Sequence, residues 1–264
     1  MTLTSPSLLN SSCENASQLF PIAMAFQPIV NAVQRTIYAH EALVRGSRGE
    51  TAAEVFGGTS PEDLDQLDQS CRVAAIREAA GLGLDTRLHL NFLPNSLEDP
   101  ESYISAILEA AKEAAVPHSS ITFEIVEGEK ITDVTKVKDI FAYYRRLGFL
   151  TALDDFGEGS SGLNLLSEIR PDIVKLDLRL IHDIDSDSVR ETIVGAMADM
   201  CRELGTILIA EGIETADESW LLIDHGITLQ QGFLFARPAF RQFAVPFFPL
   251  GRELEPGGKI LKPS

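Results

Sequence analysis

The fold is decided by three short apolar runs in the middle of the chain: ITFEIV at 121–126, FLTALDDF at 149–156 and IVKLDL at 173–178. The first two runs are separated by VTKVKDIFAYYRRL at 134–147, in which apolar residues recur with the spacing of a helix face. A shorter helical pattern separates the second run from the third. Strands that alternate with helices form parallel sheets, because each crossover helix returns the chain to the edge where the previous strand began.

The same alternation continues on both sides of this stretch. The apolar pattern predicts further strands at 87–93, 206–213 and 228–234, and a hairpin of strands at 25–30 and 36–43. It predicts further helices at 62–80, 101–115, 189–204 and 216–224. Seven or eight strands in about 230 residues indicate a closed (β/α)8 barrel, although the opening hairpin departs from a regular one. An open doubly wound sheet is the alternative, but no GxGxxG motif follows the first strand.

The two ends of the chain differ in composition from this alternating region. Residues 1–20 are rich in Ser, Thr and Asn, which predicts an N-terminal tail. Residues 249–264 hold several Pro and Gly, which predicts a C-terminal tail. We therefore expect one barrel domain at 21–248, without an interior linker.

The chain is strongly acidic: its 264 residues hold 22 Lys and Arg against 39 Asp and Glu, a formal net charge of −17. This charge disfavours duplex nucleic acid as a partner, because phosphate binding needs a basic surface, and an anionic membrane would repel the chain as well. No apolar run is long enough to span a bilayer, and the N-terminus lacks the pattern of a secretory signal. The three cysteines form no pairing motif. We therefore expect a cytoplasmic protein without a membrane partner.

Polar side chains recur where the predicted strands end. These residues are Glu41, Asn91, Glu124, Asp154, Asp155, Lys175, Glu211 and Gln231. In a parallel barrel the carboxyl ends of the strands meet at one face, where barrel enzymes have their active sites. Because side chains alternate along a strand, His89 and Asn91 should point into the barrel, and so should Thr122 and Glu124.

Several carboxylates at one face would repel one another unless cations bind between them. Oxygen ligands favour Mg²⁺, Mn²⁺ or Ca²⁺ over Zn²⁺, and the histidines show no zinc-binding spacing. In the adjacent pair Asp154 and Asp155, one carboxylate can bridge two cations, an arrangement that suits attack on a phosphodiester. The alternative is that Asp155 caps the helix that follows it.

Eight short motifs follow one another along the chain. They are QPIV at 27–30, EALVR at 41–45, LNF at 90–92, EIVE at 124–127, DDFG at 154–157, KLD at 175–177, AEGIE at 210–214, and QGF at 231–233 with RP at 237–238. With these motifs the chain resembles the EAL domain family of cyclic di-GMP phosphodiesterases over about residues 25–240. The three-letter motif alone is not specific, but the ordered set is.

The resemblance implies a modified (β/α)8, TIM-like barrel whose first strand runs antiparallel to the others, which would account for the opening hairpin. It implies two Mg²⁺ or Mn²⁺ ions as cofactors. It implies that water attacks one phosphodiester of cyclic di-GMP and gives linear pGpG. It also implies a homodimer, formed through the helices beside the loop that follows Asp155.

Residue roles carry over from the same motifs. One ion is assigned the ligands Glu41, Asn91, Glu124 and Asp154, and the other ion Asp154 and Asp155. Lys175 matches the lysine that orients the attacking water or contacts the phosphate, and Glu211 matches a glutamate that supports the ligands or acts as a base. The substrate-binding positions are Gln27, Leu43, Arg45, Glu214, Gln231 and Phe233.

The loop after Asp155 departs from the family pattern Asp-Phe-Gly-Thr-Gly-Tyr-Ser. Glu158 and Ser160 stand where that pattern has Thr and Tyr. Glu127 matches the glutamate that holds this loop. We expect it to accept N–H groups of residues 157–161, and so to fix the position of the catalytic Asp155.

Two further polar residues are expected to be structural. Asp177 follows Lys175 on the same strand face and is expected to be its ion-pair partner. His89 has no assigned role and is expected to be a histidine whose hydrogen bonds are satisfied within the fold.

Three functional interpretations stay open. The chain is an active phosphodiesterase, a catalytically silent cyclic di-GMP receptor or interaction module, or, if the resemblance is set aside, a divalent-metal barrel enzyme that removes a proton beside a carboxylate. Retention of every assigned ligand favours the first over the second. The adjacent Asp154 and Asp155, together with Arg45, favour the first over the third, because a guanidinium group grips phosphate with two hydrogen bonds.

Overall fold

The computed structural model describes residues 21–60, 62–93, 100–127, 131, 133–159 and 161–249, and at 100–103 it describes the backbone alone. The predicted tails at 1–20 and 249–264 lie outside these residues, apart from Pro249. Across these ranges, no helix has both the length and the apolar character needed to cross a membrane.

One sheet of nine strands runs through the described part of the chain. The strands are β1 Ile22–Asn31, β2 Thr36–Gly46, β3 Arg87–Asn91, β4 Ile121–Val126, β5 Leu150–Phe156, β6 Ile173–Leu176, β7 Ile207–Ala210, β8 Leu229–Gln230 and β9 Ala239–Phe240. β1 to β8 close into a barrel, because β1 pairs both with β2 and with β8. β9 pairs with the part of β1 that β8 does not reach, where Ala25 lies opposite Phe240.

The first strand runs against the others, as the resemblance implies. β2 to β8 are parallel to one another, whereas β1 is antiparallel to both of its neighbours. In the β1–β2 hairpin, Gln27 lies opposite Glu41. The ring closes where Val30 of β1 pairs with Gln230 of β8. The predicted barrel with an antiparallel first strand is therefore confirmed.

Eight α-helices of the described residues surround or cover the barrel. They are α1 Ala52–Gly57, α2 Leu64–Gly81, α3 Pro100–Glu113, α4 Val134–Arg146, α5 Gly162–Ile169, α6 Leu178–Ile181, α7 Ser188–Leu204 and α8 Ala216–Asp224. The apolar pattern does not predict helix α1, because this helix is short and has no buried residue. It begins with a capping box, in which Thr51 and Glu54 each accept the other's backbone N–H.

Two apolar cores result from the alternation of side chains along the strands. The core inside the barrel contains Ile29, Ala39, Ala152, Ile173 and Ile209. The larger core lies between the strands and the helices, and it takes the alternate residues of each strand, among them Leu88, Leu90, Phe123 and Ile125. The predicted inward direction of the intervening residues, including Glu124, follows from this arrangement.

Several strands are shorter than the apolar pattern predicts, among them the strand predicted at 87–93, which ends at Asn91. The strand predicted at 173–178 ends at Leu176, because the Asp177 side chain accepts the N–H of Arg179 and begins α6. The strands predicted at 206–213 and 228–234 are Ile207–Ala210 and Leu229–Gln230. Their apolar patterns continue into loops because loop residues such as Ile213 are also buried.

Candidate metal centre

Five carboxylates from four different strand ends meet inside the mouth of the barrel. Oxygen atoms of Glu41, Glu124 and Asp154 lie within 4.8 Å of one another. Oxygen atoms of Asp154, Asp155 and Glu211 form a second group within the same distance. Asp154 belongs to both groups, so two cation-sized positions share one carboxylate. This is the arrangement that the adjacent Asp154 and Asp155 predict.

Amide side chains hold Glu41 in place. Asn91 donates from Nδ2 to Glu41 Oε1 at 3.0 Å, and Gln231 donates from Nε2 to Glu41 Oε2 at 2.8 Å. The same Gln231 nitrogen lies 3.2 Å from Gln27 Oε1. Asn91 also stands opposite Glu124 in the β3–β4 register. All these predicted site residues are therefore brought together at the first carboxylate group.

Lys175 lies between the two carboxylate groups. Its fully buried Nζ is 2.7 Å from Glu211 Oε1, 3.0 Å from Asp154 Oδ1, 3.2 Å from Glu124 Oε2 and 3.4 Å from Glu41 Oε2. One ammonium group thus faces four carboxylates. A single positive charge cannot balance four negative charges at this depth, where water does not screen them.

The pKa values of these carboxyl groups reflect that imbalance. Burial opposes the ionisation of Glu124, but the charges of Lys175 and His89 outweigh it and lower the pKa to about 2. Burial, together with repulsion from Glu211, raises the pKa of Asp154 well above its usual range, although Lys175 opposes this. Burial also raises the pKa of Glu211 to about 7. Glu124 is thus an anion, whereas Asp154 and Glu211 resist full ionisation until more positive charge arrives.

A divalent cation fits this set of donors. Both groups offer carboxylate oxygens alone, which is the ligand type that Mg²⁺ and Mn²⁺ prefer. Shared by both groups, Asp154 is suited to bridge two ions. Asn91 lies against Glu41, to which its amide nitrogen donates, and its side chain also carries an oxygen of the ligand type that these cations accept.

Asp155 has a strained backbone. Its φ is 52°, in the left-handed region that non-glycine residues rarely adopt, and the β5–β6 pairing is irregular between Leu153 and Phe156. Such strain persists where surrounding contacts impose it, commonly at functional sites. The alternative that Asp155 caps the next helix is wrong, because the N-cap of α5 is Ser161.

The loop after Asp155 is held by Glu127. The buried Glu127 carboxylate accepts the N–H of Gly157 at Oε2, at 2.8 Å. At Gly159 a Cβ atom would lie 2.8 Å from Glu127 Oε1, so only glycine allows this close approach. The predicted contact is confirmed at Gly157, whereas Ser160 lies outside the described residues.

Two expectations about neighbouring polar residues need revision. Asp177 is not the partner of Lys175: it accepts the N–H of Arg179 at 2.9 Å and caps α6. The strand ends before Asp177, so the alternation that would place it beside Lys175 no longer applies. His89 is buried inside the barrel as expected, but its Nδ1 lies 2.5 Å from Glu124 Oε1, in direct contact with the carboxylate group.

The predicted substrate-binding residues divide between two cavities. The first is lined by Gln27, Glu214, Gln231 and Phe233, together with Glu41, Asp155 and Glu211. The second is lined by Leu43 and Arg45, together with Asn91 and Val126. The Arg45 guanidinium donates to the Val44 carbonyl oxygen at 2.7 Å. Each cavity therefore reaches one side of the carboxylate groups.

The second cavity is also lined by two residues that the sequence motifs do not single out. Asp68 and Arg72 of α2 line it and form a buried ion pair at 2.5 Å. Their spacing of four residues on a predicted helix is the signal that could have suggested the pair. Nothing in the sequence pattern placed α2 beside the mouth of the barrel.

A family model for the EAL domain matches residues 13–238. The chain belongs to the EAL domain family. Two curated relatives from Escherichia coli K12 give the range of functions among similar proteins. The EAL chain is 30% identical over 81% of its length to the blue light- and temperature-regulated antirepressor BluF, and 31% identical over 65% of its length to the cyclic di-GMP phosphodiesterase PdeR. It spans about half of BluF and a quarter of PdeR, 53% and 25% of their lengths.

Solved structures are similar over most of the EAL chain. A standalone versatile EAL protein from Vibrio cholerae O395, in its c-di-GMP-bound form, is 43% identical with a TM-score of 0.83, and the match covers 86% of this chain and 96% of that one. Klebsiella pneumoniae BlrP1, in a complex with manganese and cyclic di-GMP, is 33% identical with a TM-score of 0.80, and the match covers 84% and 57%. Similar EAL structures thus contain both a divalent metal and cyclic di-GMP.

Lys175→Met should lower the free energy of unfolding in the presence of EDTA by about 3–5 kcal/mol, because it removes a buried ammonium group that faces four carboxylates, three of them buried. Saturating Mn²⁺ should recover most of that loss, since it binds the folded state selectively. Urea unfolding of both proteins, with EDTA and with Mn²⁺, measures the two effects.

Lys138→Met is the matched control, because Lys138 makes an exposed ion pair with Glu168 at 3.4 Å and should contribute little. Equal stabilisation of the Lys175 and Lys138 variants by Mn²⁺ relative to EDTA would contradict charge compensation at this centre.

Proposed function

We propose that this EAL chain hydrolyses cyclic di-GMP to linear pGpG with two divalent cations, Mg²⁺ or Mn²⁺. The observation that carries the proposal is the pair of carboxylate groups that share Asp154. Two cations in such sites activate a water molecule and neutralise the charge that develops on the phosphate. The occurrence of cyclic di-GMP and manganese in similar structures supports the same chemistry.

The ligand roles follow the two groups. Glu41, Asn91, Glu124 and Asp154 would hold one cation, and Asp154 and Asp155 the other. Glu127 would fix the loop that carries Asp155, through its contact with Gly157. The strained Asp155 backbone supports this role. The contacts that hold the backbone in a conformation that non-glycine residues rarely adopt also fix the direction of the side chain.

Glu211 and Lys175 would handle the proton and the phosphate charge. Glu211 lies beside Asp154 and Asp155 and would accept a proton from the attacking water. The Lys175 ammonium lies 2.7 Å from Glu211, close enough to orient the water or donate to a phosphate oxygen.

The two cavities would receive the two halves of the substrate. Gln27, Glu214 and Gln231 offer polar groups on one side, and Phe233, which is 46% exposed, offers a ring face on which a base can stack. On the other side, Leu43 offers apolar contact and Arg45 a guanidinium group for a phosphate oxygen.

A homodimer and a cytoplasmic location belong to the same proposal. Leu163, on the first turn of α5 directly after the Asp155 loop, is 61% exposed and suits a contact with a second copy. Cys71 and Cys201 are both free and buried, as expected of a reducing compartment.

The second candidate is a receptor that binds cyclic di-GMP without cleaving it. The altered loop favours it, because Glu158 forms an ion pair with Arg179 at 2.7 Å that the family's usual Thr would not make. BluF, which is similar in sequence, is an antirepressor and therefore a regulator.

Incubation of the chain with cyclic di-GMP should give pGpG with Mg²⁺ or Mn²⁺ and no product in excess EDTA. Ca²⁺ should bind without supporting turnover, because its longer and more flexible coordination spaces the cations differently. Chromatography of the products measures each reaction. Tight binding without product in Mg²⁺ and in Mn²⁺ would favour the receptor, and full turnover in EDTA would contradict the two-cation mechanism.

Glu127→Met should lower turnover by about 100-fold and raise the Mn²⁺ concentration needed for half-maximal rate, because the loop that positions Asp155 loses its acceptor. Glu127→Gln is the matched control: it keeps an oxygen for the Gly157 N–H and should remain within a few-fold of the wild type. Rate measurements against Mn²⁺ concentration compare the variants, and coincident curves for Met and Gln would contradict the loop-holding role.

A further inference from the structure

His89 is the one histidine, among the described residues, whose ring touches the carboxylate groups. It lies on β3 and its side chain is fully buried inside the barrel. Its Nδ1 atom lies 2.5 Å from Oε1 of Glu124, whose side chain is also fully buried. The sequence predicts only a histidine whose hydrogen bonds are satisfied within the fold, so the contact with Glu124 adds a feature to the site.

The direction of this hydrogen bond follows from chemistry. An ionised carboxylate has no hydrogen to donate, so His89 Nδ1 carries the hydrogen and Glu124 Oε1 accepts it. The other oxygen, Oε2, lies 3.2 Å from Lys175 Nζ and faces the remaining carboxylates. The two oxygens of Glu124 therefore have separate tasks: one is tied to His89, and the other is presented to the cation position.

The rest of the His89 ring makes no competing hydrogen bond in the described part of the fold. Nε2 is buried without a partner there, and the ring meets Tyr38 edge-on with centroids 6.5 Å apart. Thr122, its neighbour in the β3–β4 register, also has a buried hydroxyl without such a partner. The hydrogen-bonding capacity of the ring is thus directed at Glu124.

We propose that His89 is a positioning residue that fixes the Glu124 carboxylate and thereby sets the affinity of the first carboxylate group for its divalent cation. The proposal rests on the metal centre of the proposed function. Carboxylate ligands are commonly held by a hydrogen-bond donor behind them, and loss of that donor typically weakens metal binding 10- to 100-fold. Without His89, the Glu124 carboxylate loses one of its two hydrogen bonds, and cation binding has to order it further.

The test is Mn²⁺ binding without substrate, measured by the electron paramagnetic resonance signal of free Mn²⁺. His89→Leu removes the donor and should raise the Kd of the tighter Mn²⁺ about 10- to 100-fold. His89→Asn places an amide N–H near the position of Nδ1 and should restore the Kd to within about 5-fold of the wild type. Thr122→Val is the control for a polar group lost from the same layer, and should leave the Kd unchanged.

The outcomes separate this proposal from the proposed function. An unchanged Kd in His89→Leu, or an equal loss in His89→Leu and His89→Asn, would overturn the positioning role. If His89→Leu does not fold, His89→Met, which also lacks a donor and fills an irregular space more readily, takes its place in the comparison. A further outcome is that the proteins bind Mn²⁺ with the expected order of Kd values while the wild type cleaves no cyclic di-GMP. That result would support the role of His89 and contradict the proposed phosphodiesterase activity.

Discussion

The rest of the structure depends on the placement of one buried ammonium group among four carboxylates, three of which are buried as well. Lys175 lies within 3.4 Å of Glu41, Glu124, Asp154 and Glu211. The barrel creates this crowding, because parallel strands deliver their carboxyl ends to one mouth. Burial then makes it costly, because neither water nor salt screens the charges. The site therefore lacks positive charge, and divalent cations would provide it.

The surrounding residues restrict where that charge can be placed. Asn91 and Gln231 hold the two oxygens of Glu41, His89 and Lys175 hold those of Glu124, and Glu127 holds the loop after Asp155. These contacts come from different strands and loops, so the geometry depends on the whole barrel being closed. A centre built this way keeps its carboxylates at fixed positions before a cation arrives, which reduces the ordering that binding requires.

Much of this arrangement could be predicted from the sequence because two simple periods control it. The alternation of side chains along a strand predicts that Glu124 points into the barrel, and the alternation of strands and helices predicts that the strand ends meet. The Asp154–Asp155 pair predicts two cation positions for a different reason, namely that one carboxylate can bridge two cations. Helix boundaries with clear caps are also predictable: helix α8 occupies the predicted range, beginning after Thr215.

The features that could not be predicted each depend on one particular contact or backbone conformation. Asp177 ends its strand by capping α6, a choice that the apolar pattern of 173–178 does not reveal. The left-handed backbone of Asp155 is imposed by the fold against its own preference. The His89–Glu124 contact joins residues 35 positions apart, and the Asp68–Arg72 pair reaches the mouth only because α2 packs there. None of these features follows from the alternation of side chains along a strand or of strands and helices along the chain.

The most direct test of the central claim, that two cation positions share Asp154, is the Mn²⁺ stoichiometry of three proteins measured by electron paramagnetic resonance without substrate. The wild type should bind two Mn²⁺ per chain, and Asp155→Asn should keep the tighter ion and lose most affinity for the other. Asp154→Asn should weaken both ions, since both groups include this carboxylate. A wild type that binds a single Mn²⁺, or an Asp154→Asn variant that retains two with unchanged affinity, would contradict the shared centre.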